Sequence, residues 1–170
     1  MSVKNGFKFD TDNNKLLVYQ ESSNVATFDN SSPNLTVASG ATITAGDLTV
    51  TAGNIDVVAG TLDVQDGGAI TQVTNKGNGV SLSTYSGQIT TTAAALAAGV
   101  EVTFVVTNTL VAINDVVIVN VQSGGTPGEY MAAVTTVANG SFHITLTNLS
   151  GSSASDAVIL NFVVIKGAAS

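Results

Sequence analysis

A short internal repeat between residues 34 and 67 constrains this chain more than any other feature. It reads NLTVASG, ATITAG, DLTVTAG, NIDVVAG, TLDVQDG, in blocks of seven, six, seven, seven and seven residues. In the last three blocks the apolar columns are Leu48, Ile55, Leu62 and Val50, Val57, Val64. Within a block the two apolar residues are two positions apart, so both leave the same face of an extended strand. The column between them, Thr49, Asp56 and Asp63, points the other way, into solvent. Gly53, Gly60 and Gly67 close the blocks at corners that need positive φ or close backbone approach. A heptad coiled coil fails on two counts. Apolar positions at i and i+2 diverge around a helix, and a glycine in each block costs about 1 kcal/mol relative to alanine.

Seven residues make one strand and one corner. A full turn of a three-sided solenoid takes roughly 18 residues or more. Either three blocks of one chain form the three sides of a coil, or three chains supply one side each. One chain holds barely two coils of repeat, below the roughly three repeats that independent stability needs. Interdigitation of three chains supplies the missing layers and covers the strand edges. The repeat therefore predicts a trimeric β-helical or β-prism stalk, with Leu48, Val50, Ile55, Val57, Leu62 and Val64 as its trimer core.

Composition narrows the partners. Hydrophobic residues make up 44% of the chain and charged residues only 10%, against about 25% charged in an average soluble protein. Thr, Ser, Asn, Gly and Ala fill the gap, which suits short strands and tight turns rather than helices. Five lysines and no arginine stand against twelve acids, for a net charge of −7. A nucleic-acid surface needs cations to displace phosphate counterions, so nucleic acid is not an expected partner. Anionic membranes are disfavoured for the same reason, and no apolar run approaches the roughly 20 residues of a membrane span. The opening MSVKNGFKFD lacks the apolar core of a signal peptide, so synthesis in a cytoplasm is expected. Cysteine is absent, which leaves neither disulfides nor thiolate metal sites.

Three segments follow. In residues 1–30, alternation at Phe7 and Phe9, then at Leu17 and Tyr19, around the turn-rich TDNN predicts a hairpin or two short strands. Pro33 marks a break, and residues 31–75 form the stalk. Residues 76–170 carry candidate strands at 80–84, 87–92, 100–108, 114–122, 129–137, 141–148 and 157–165. Val102, Phe104 and Val106 share one phase, as do Phe142, Ile144 and Leu146. Turn signals separate the strands: SGGTPGE at 123–129, ANGS at 138–141 and LSGSSASD at 149–156. Strands at this spacing predict a β-sandwich knob of jelly-roll-like form, so the chain is all-β. TTAAALAAG at 91–99 is the one helix candidate, to be either a short turn or a loop.

YSGQITTTAAALAAGVEVTFVVTNTLV, DVVIVNVQSGGTPGEYMAAV and GSFHITLTNLSGSSASDAVILNFVVIKG, in that order, resemble a module at the C-terminal end of tailed-phage virion proteins, especially those of cyanophages and marine phages. The resemblance covers residues 85–167 and contains no catalytic motif. It implies a β-rich trimeric knob on a capsid decoration protein or a tail fibre. A 170-residue chain with a short stalk is closer to a capsid cement protein than to a fibre, which carries a longer shaft and a tail-attachment region.

No enzyme is expected. His143, the one histidine, sits on the outward phase of its strand without convergent partners and reads as a surface residue. Asp47, Asp56, Asp63 and Asp66 have the oxygen chemistry of a calcium site. They lack an EF-hand or GGxGxD pattern and read instead as a solvated acidic face. SGGT at 123–126 is not followed by lysine and a helix, so it is a loop and not a phosphate cradle. No serine occupies a G-x-S-x-G elbow. Three glutamates and no tryptophan make a poor glycosidase. Tyr85 and Tyr130 are expected in the core or at a subunit interface. Lys4, Phe7, Lys8 and Phe9 form a basic-aromatic patch in an acidic chain, read equally well as an ordinary hairpin surface or as a capsid contact.

The expectation is thus a homotrimeric capsid cement (head decoration) protein on the virion exterior. Its partner is the major capsid protein, residues 1–30 face the shell, and the knob points outward. It needs no cofactor or metal. The alternative is a receptor-binding tail fibre or spike whose loops at 123–129 and 149–156 touch a host glycan or surface protein.

Overall fold

The computed structural model describes residues 67–167 throughout, the strand backbone at 6–10 and 15–19, and residues 48, 50, 55–59, 61, 62 and 64. Lys4, Pro33, Asp47, Asp63 and Asp66 lie outside the described residues. The chain divides into two units, Met1–Ile55 and Asp56–Ser170. Among the described residues all regular structure is β, with no helix.

In the first unit, β1 (Gly6–Asp10) and β2 (Lys15–Tyr19) pair antiparallel from Gly6↔Tyr19 to Asp10↔Lys15. This is the strand pairing that the alternation predicts, and the TDNN between the strands lies outside the described residues.

The second unit carries eight strands in two four-stranded mixed sheets, neither of them closed into a barrel. The strands are β3 (Ala69–Thr71), β4 (Val80–Ser81), β5 (Ser86–Thr90), β6 (Glu101–Thr107), β7 (Val116–Ser123), β8 (Tyr130–Ala138), β9 (Ser141–Asn148) and β10 (Ile159–Ile165). One sheet runs β3-β5-β10-β7 and the other β4-β6-β9-β8. The central pairings are antiparallel, while β3 lies parallel to β5 and β4 parallel to β6.

Alternation decides which side of each sheet is dry. Phe142, Ile144 and Leu146 of β9 and Phe104 and Val106 of β6 are buried. Opposite them are Ile89 of β5, Val117 of β7 and Leu160, Phe162 and Val164 of β10, also buried. Phe142 and Phe162 meet across the layers with ring centroids 5.2 Å apart at 57°, the tilted arrangement that aromatic quadrupoles favour. Gly87 leaves room for that contact, since a methyl there would lie 2.7 Å from the Phe162 ring.

Two buried asparagines close the loops. Asn108 donates to the Thr84 carbonyl at 2.8 Å and accepts from the Leu110 amide at 3.0 Å. Asn148 donates to the Leu96 and Ser152 carbonyls at 2.8 and 2.9 Å and accepts from the Ser150 amide at 2.9 Å. Each fills a polar vacancy that would cost about 1–3 kcal/mol if left open.

Three details refine the sequence reading. The sheet takes in Ala69–Thr71, upstream of the stalk–knob boundary expected at 75/76, because this segment pairs with Gln88–Thr90. The strand expected at 80–84 keeps ladder pairing only at Val80 and Ser81, opposite Val106 and Thr107. Residues 91–99 form a loop and not a helical turn. Thr91 bonds Val158 at 2.8 Å, and Leu96 and Ala154 exchange amide–carbonyl bonds at 2.8 and 3.0 Å. Pairing with a distant segment has taken the groups that a helix would use.

Phe142→Ala is expected to destabilise the knob by about 3–5 kcal/mol. Urea unfolding followed by circular dichroism would measure the loss.

Candidate assembly surface

The described apolar residues of the repeat columns are exposed in both units. Leu48, Val50 and Ile55 in the first unit are 66%, 44% and 66% exposed. Val57, Leu62 and Val64 in the second are 48%, 82% and 40% exposed. None of the described residues from 48 to 64 belongs to a strand ladder. Burying one such side chain fully is worth about 1.5–3 kcal/mol, and the single chain leaves most of that gain unrealised at Leu48, Ile55 and Leu62 and part of it at Val50, Val57 and Val64. Asp56 is exposed, as are Ile55 and Val57 on either side of it. No group of three acids or histidines that could hold a metal ion occurs among the described residues.

The remaining sequence-picked residues do not converge. Phe7, Lys8 and Phe9 fall in β1, with Lys4 outside the described residues. His143 keeps its outward phase on β9, half-buried opposite Val105 and Thr136. Tyr130 is buried, as expected, and its hydroxyl donates to Asp156 Oδ2 at 3.1 Å. Tyr85 packs against the core.

The loop at 123–129 stands out as a shaped surface. Residues 123–128, together with Val121, Gln122 and Tyr130, line a cleft of about 490 Å³ with no charged side chain in its wall. Gly124 holds φ at 104°, and a methyl there would lie 2.6 Å from the Ala157 carbonyl oxygen, so the loop is pressed on its neighbour.

Two ionic sites escaped the sequence reading, and both are structural. Lys76 is only 3% exposed. Its ammonium donates to the Asp156 carbonyl at 2.5 Å, the Thr92 carbonyl at 2.6 Å and Thr91 Oγ1 at 3.4 Å. Its three donors are thus used in tying three loop segments together, with Nζ 5.8 Å from the centre of the Tyr130 ring. Burial pushes its pKa below the ordinary lysine value, while the Asp156 charge pulls it back up. Asp115 is the second site. Its side chain is 1% exposed and meets Lys166 at 2.5 Å. It also accepts from the Ala112 and Gly167 amides at 2.8 and 3.0 Å. The Lys166 hydrogen bond, then that of Ala112, holds its pKa below the usual carboxylate value. The available signal was scarcity: only two of the five lysines lie beyond residue 15, at 76 and 166.

No family model, curated protein or solved structure matches this chain.

Lys76→Met, which keeps the apolar stem but orphans two carbonyls, is expected to cost about 1–3 kcal/mol per unsatisfied group in urea unfolding. Asp115 supplies a pH signature. A carboxylate depressed in the folded state contributes stability that is present above its unfolded value near 3.8 and lost as pH falls through the folded value. Asp115→Asn is therefore expected to lower the melting temperature at pH 7 and to flatten its fall below pH 4 relative to the parent chain. Parallel acid limbs for the two proteins would contradict this.

Proposed function

We propose that this chain is a tailed-phage capsid cement protein that acts as a homotrimer on the outside of the shell, with the major capsid protein as its partner. The observation that carries the reading is the exposure of Leu48, Val50, Ile55, Val57, Leu62 and Val64 in the single chain. Sister chains cover such columns by supplying the absent sides of a β-helical or β-prism stalk. The resemblance of residues 85–167 to phage virion modules supplies the virion context, and the two packed sheets accord with a jelly-roll-like knob.

The mechanism is binding linkage and needs no catalytic group. A protein that binds the assembled shell and not its free subunits stabilises the shell by mass action. Three-fold symmetry turns three weak anchors into one strong attachment. The β1–β2 hairpin, with Lys8 between Phe7 and Phe9 and Lys4 before it, serves as that anchor. The protein is made in the host cytoplasm and ends on the capsid exterior.

A second reading, a tail-fibre or spike receptor-binding tip, draws on the cleft at 121–130. Hundreds of copies per purified virion mark cement, and a handful mark a fibre.

Light scattering of the purified chain is expected to give three times the mass of one chain, and Leu62→Asp is expected to give single chains. A well-folded single chain for the unaltered protein would sink the assembly reading. Deleting residues 2–15 is expected to abolish capsid binding while the soluble trimer persists; retained binding would remove the anchor assignment.

A further inference from the structure

The outer face of the β3-β5-β10-β7 sheet is unusual for so acidic a chain. Its four strands read AIT, SGQIT, ILNFVVI and VVIVNVQS, without one charged residue or histidine. The other sheet carries Glu101 and His143 on its outer side. There Thr145 Oγ1 also shares hydrogen bonds with Thr103 Oγ1 at 2.7 Å and Thr135 Oγ1 at 3.1 Å, so these hydroxyls on that face are paired, with Val105 and Met131 exposed beside them.

On the charge-free face the outward phase assembles an apolar strip. Register places Val163 beside Ile118 and Ile165 beside Val116. Val116, Ile118 and Ile165 are 55%, 50% and 51% exposed, and Val163 is half-buried. Further along, Gln88 Nε2 donates to Gln122 Oε1 at 2.6 Å and Asn161 Oδ1 at 3.4 Å. Beside the strip lies the Asp115–Lys166 pair, which offsets the one acid adjoining it. An apolar centre, an amide flank and depletion of charge are the anatomy of a protein interface.

We propose that the outer face of β7 and β10, centred on Val116, Ile118, Val163 and Ile165, is a knob-to-knob contact between copies of this chain. The proposal rests on the homotrimer reading and adds to it a contact independent of the repeat. Charge selects the occupant. A foreign partner for a chain of net charge −7 is steered and registered by opposite charge, and this face offers none. A copy brings the same −7, so the face on which two copies approach most closely must be free of acids. Amides carry donor and acceptor together, so the flank is complementary to itself.

The chain has no cysteine, which makes single thiols a clean probe in the full-length protein. Ile118→Cys changes little in shape, and Thr103→Cys, on the other sheet's outer face, is the control. In the assembled protein the thiol of Ile118→Cys is expected to react with a maleimide at least tenfold more slowly than that of Thr103→Cys. Ile118→Glu is expected to raise the dissociation constant at least tenfold in sedimentation equilibrium, with Thr103→Glu unchanged. Equal labelling rates in a persistent trimer, or a trimer indifferent to Ile118→Glu, would overturn the knob contact and leave the repeat-borne trimer standing. A parent chain that sediments as a monomer at every concentration would overturn both.

Discussion

An extended strand has two faces and cannot fold back to cover either of them. Whatever apolar side it presents must be covered by another layer, and the origin of that layer organises this protein. In the knob the chain supplies both layers itself: Phe104, Phe142 and Ile144 from one sheet meet Ile89, Leu160 and Phe162 from the other, and all are buried. Among the described residues of the repeat no such cover is found, and Leu48, Ile55 and Leu62 stay mostly exposed. The same period-two pattern thus produces a closed core in one segment and an open demand in another. The difference is one of chain length per strand. Each knob strand has a partner sheet to face, whereas a seven-residue block ends in a glycine before any second layer is reached.

Polar chemistry in the knob serves the same end. Thr84, Thr92, Ser152 and Gly167 have loop carbonyls or amides that no ladder takes up. Lys76, Asn108, Asn148 and Asp115 answer them, each buried and each bonded to backbone from a distant part of the chain. Lys76 and Asp115 have the burial and altered ionisation that mark catalytic groups in enzymes. Here their partners are backbone groups of the fold itself, so they act as fasteners.

Much of this was legible in the sequence. The runs at 101–107 and 141–148 alternate, because one face of each is pressed into the core and the other is more open, whereas 116–123 and 159–165 are legible as strands by their nearly continuous apolar stretches. The short strands β3 and β4 were not so legible. Three and two residues are too few to show a period, and their pairing is set by the backbones of β5 and β6 rather than by their own side chains. TTAAALAAG has helical composition, yet Val158 and Ala154 claim its backbone; a weak local preference yielded to distant pairing. Lys76 gave no sign in TNKGNG, since a turn lysine is ordinarily solvated and its burial follows from loops 15 and 80 residues away. The exposure of the repeat columns was implied by block length alone, whereas the charge-free sheet face became visible only once four separated strands were placed side by side.

The position of β10 has a kinetic consequence. The last strand of the knob lies inside its sheet, hydrogen-bonded on one side to β5 and on the other to β7. Until residues 159–165 have left the ribosome, two apolar strands wait with open edges, and the Phe142 ring lacks the Phe162 ring that it packs against. Synthesis proceeds at about 5–20 residues per second, so the nascent knob spends seconds as two half-sheets before one closing event joins them. Pairings so distant along the chain are slow to form. Shaving even a few residues from β10 would therefore strand both of its neighbours and send the chain toward aggregation instead of a slightly weakened knob.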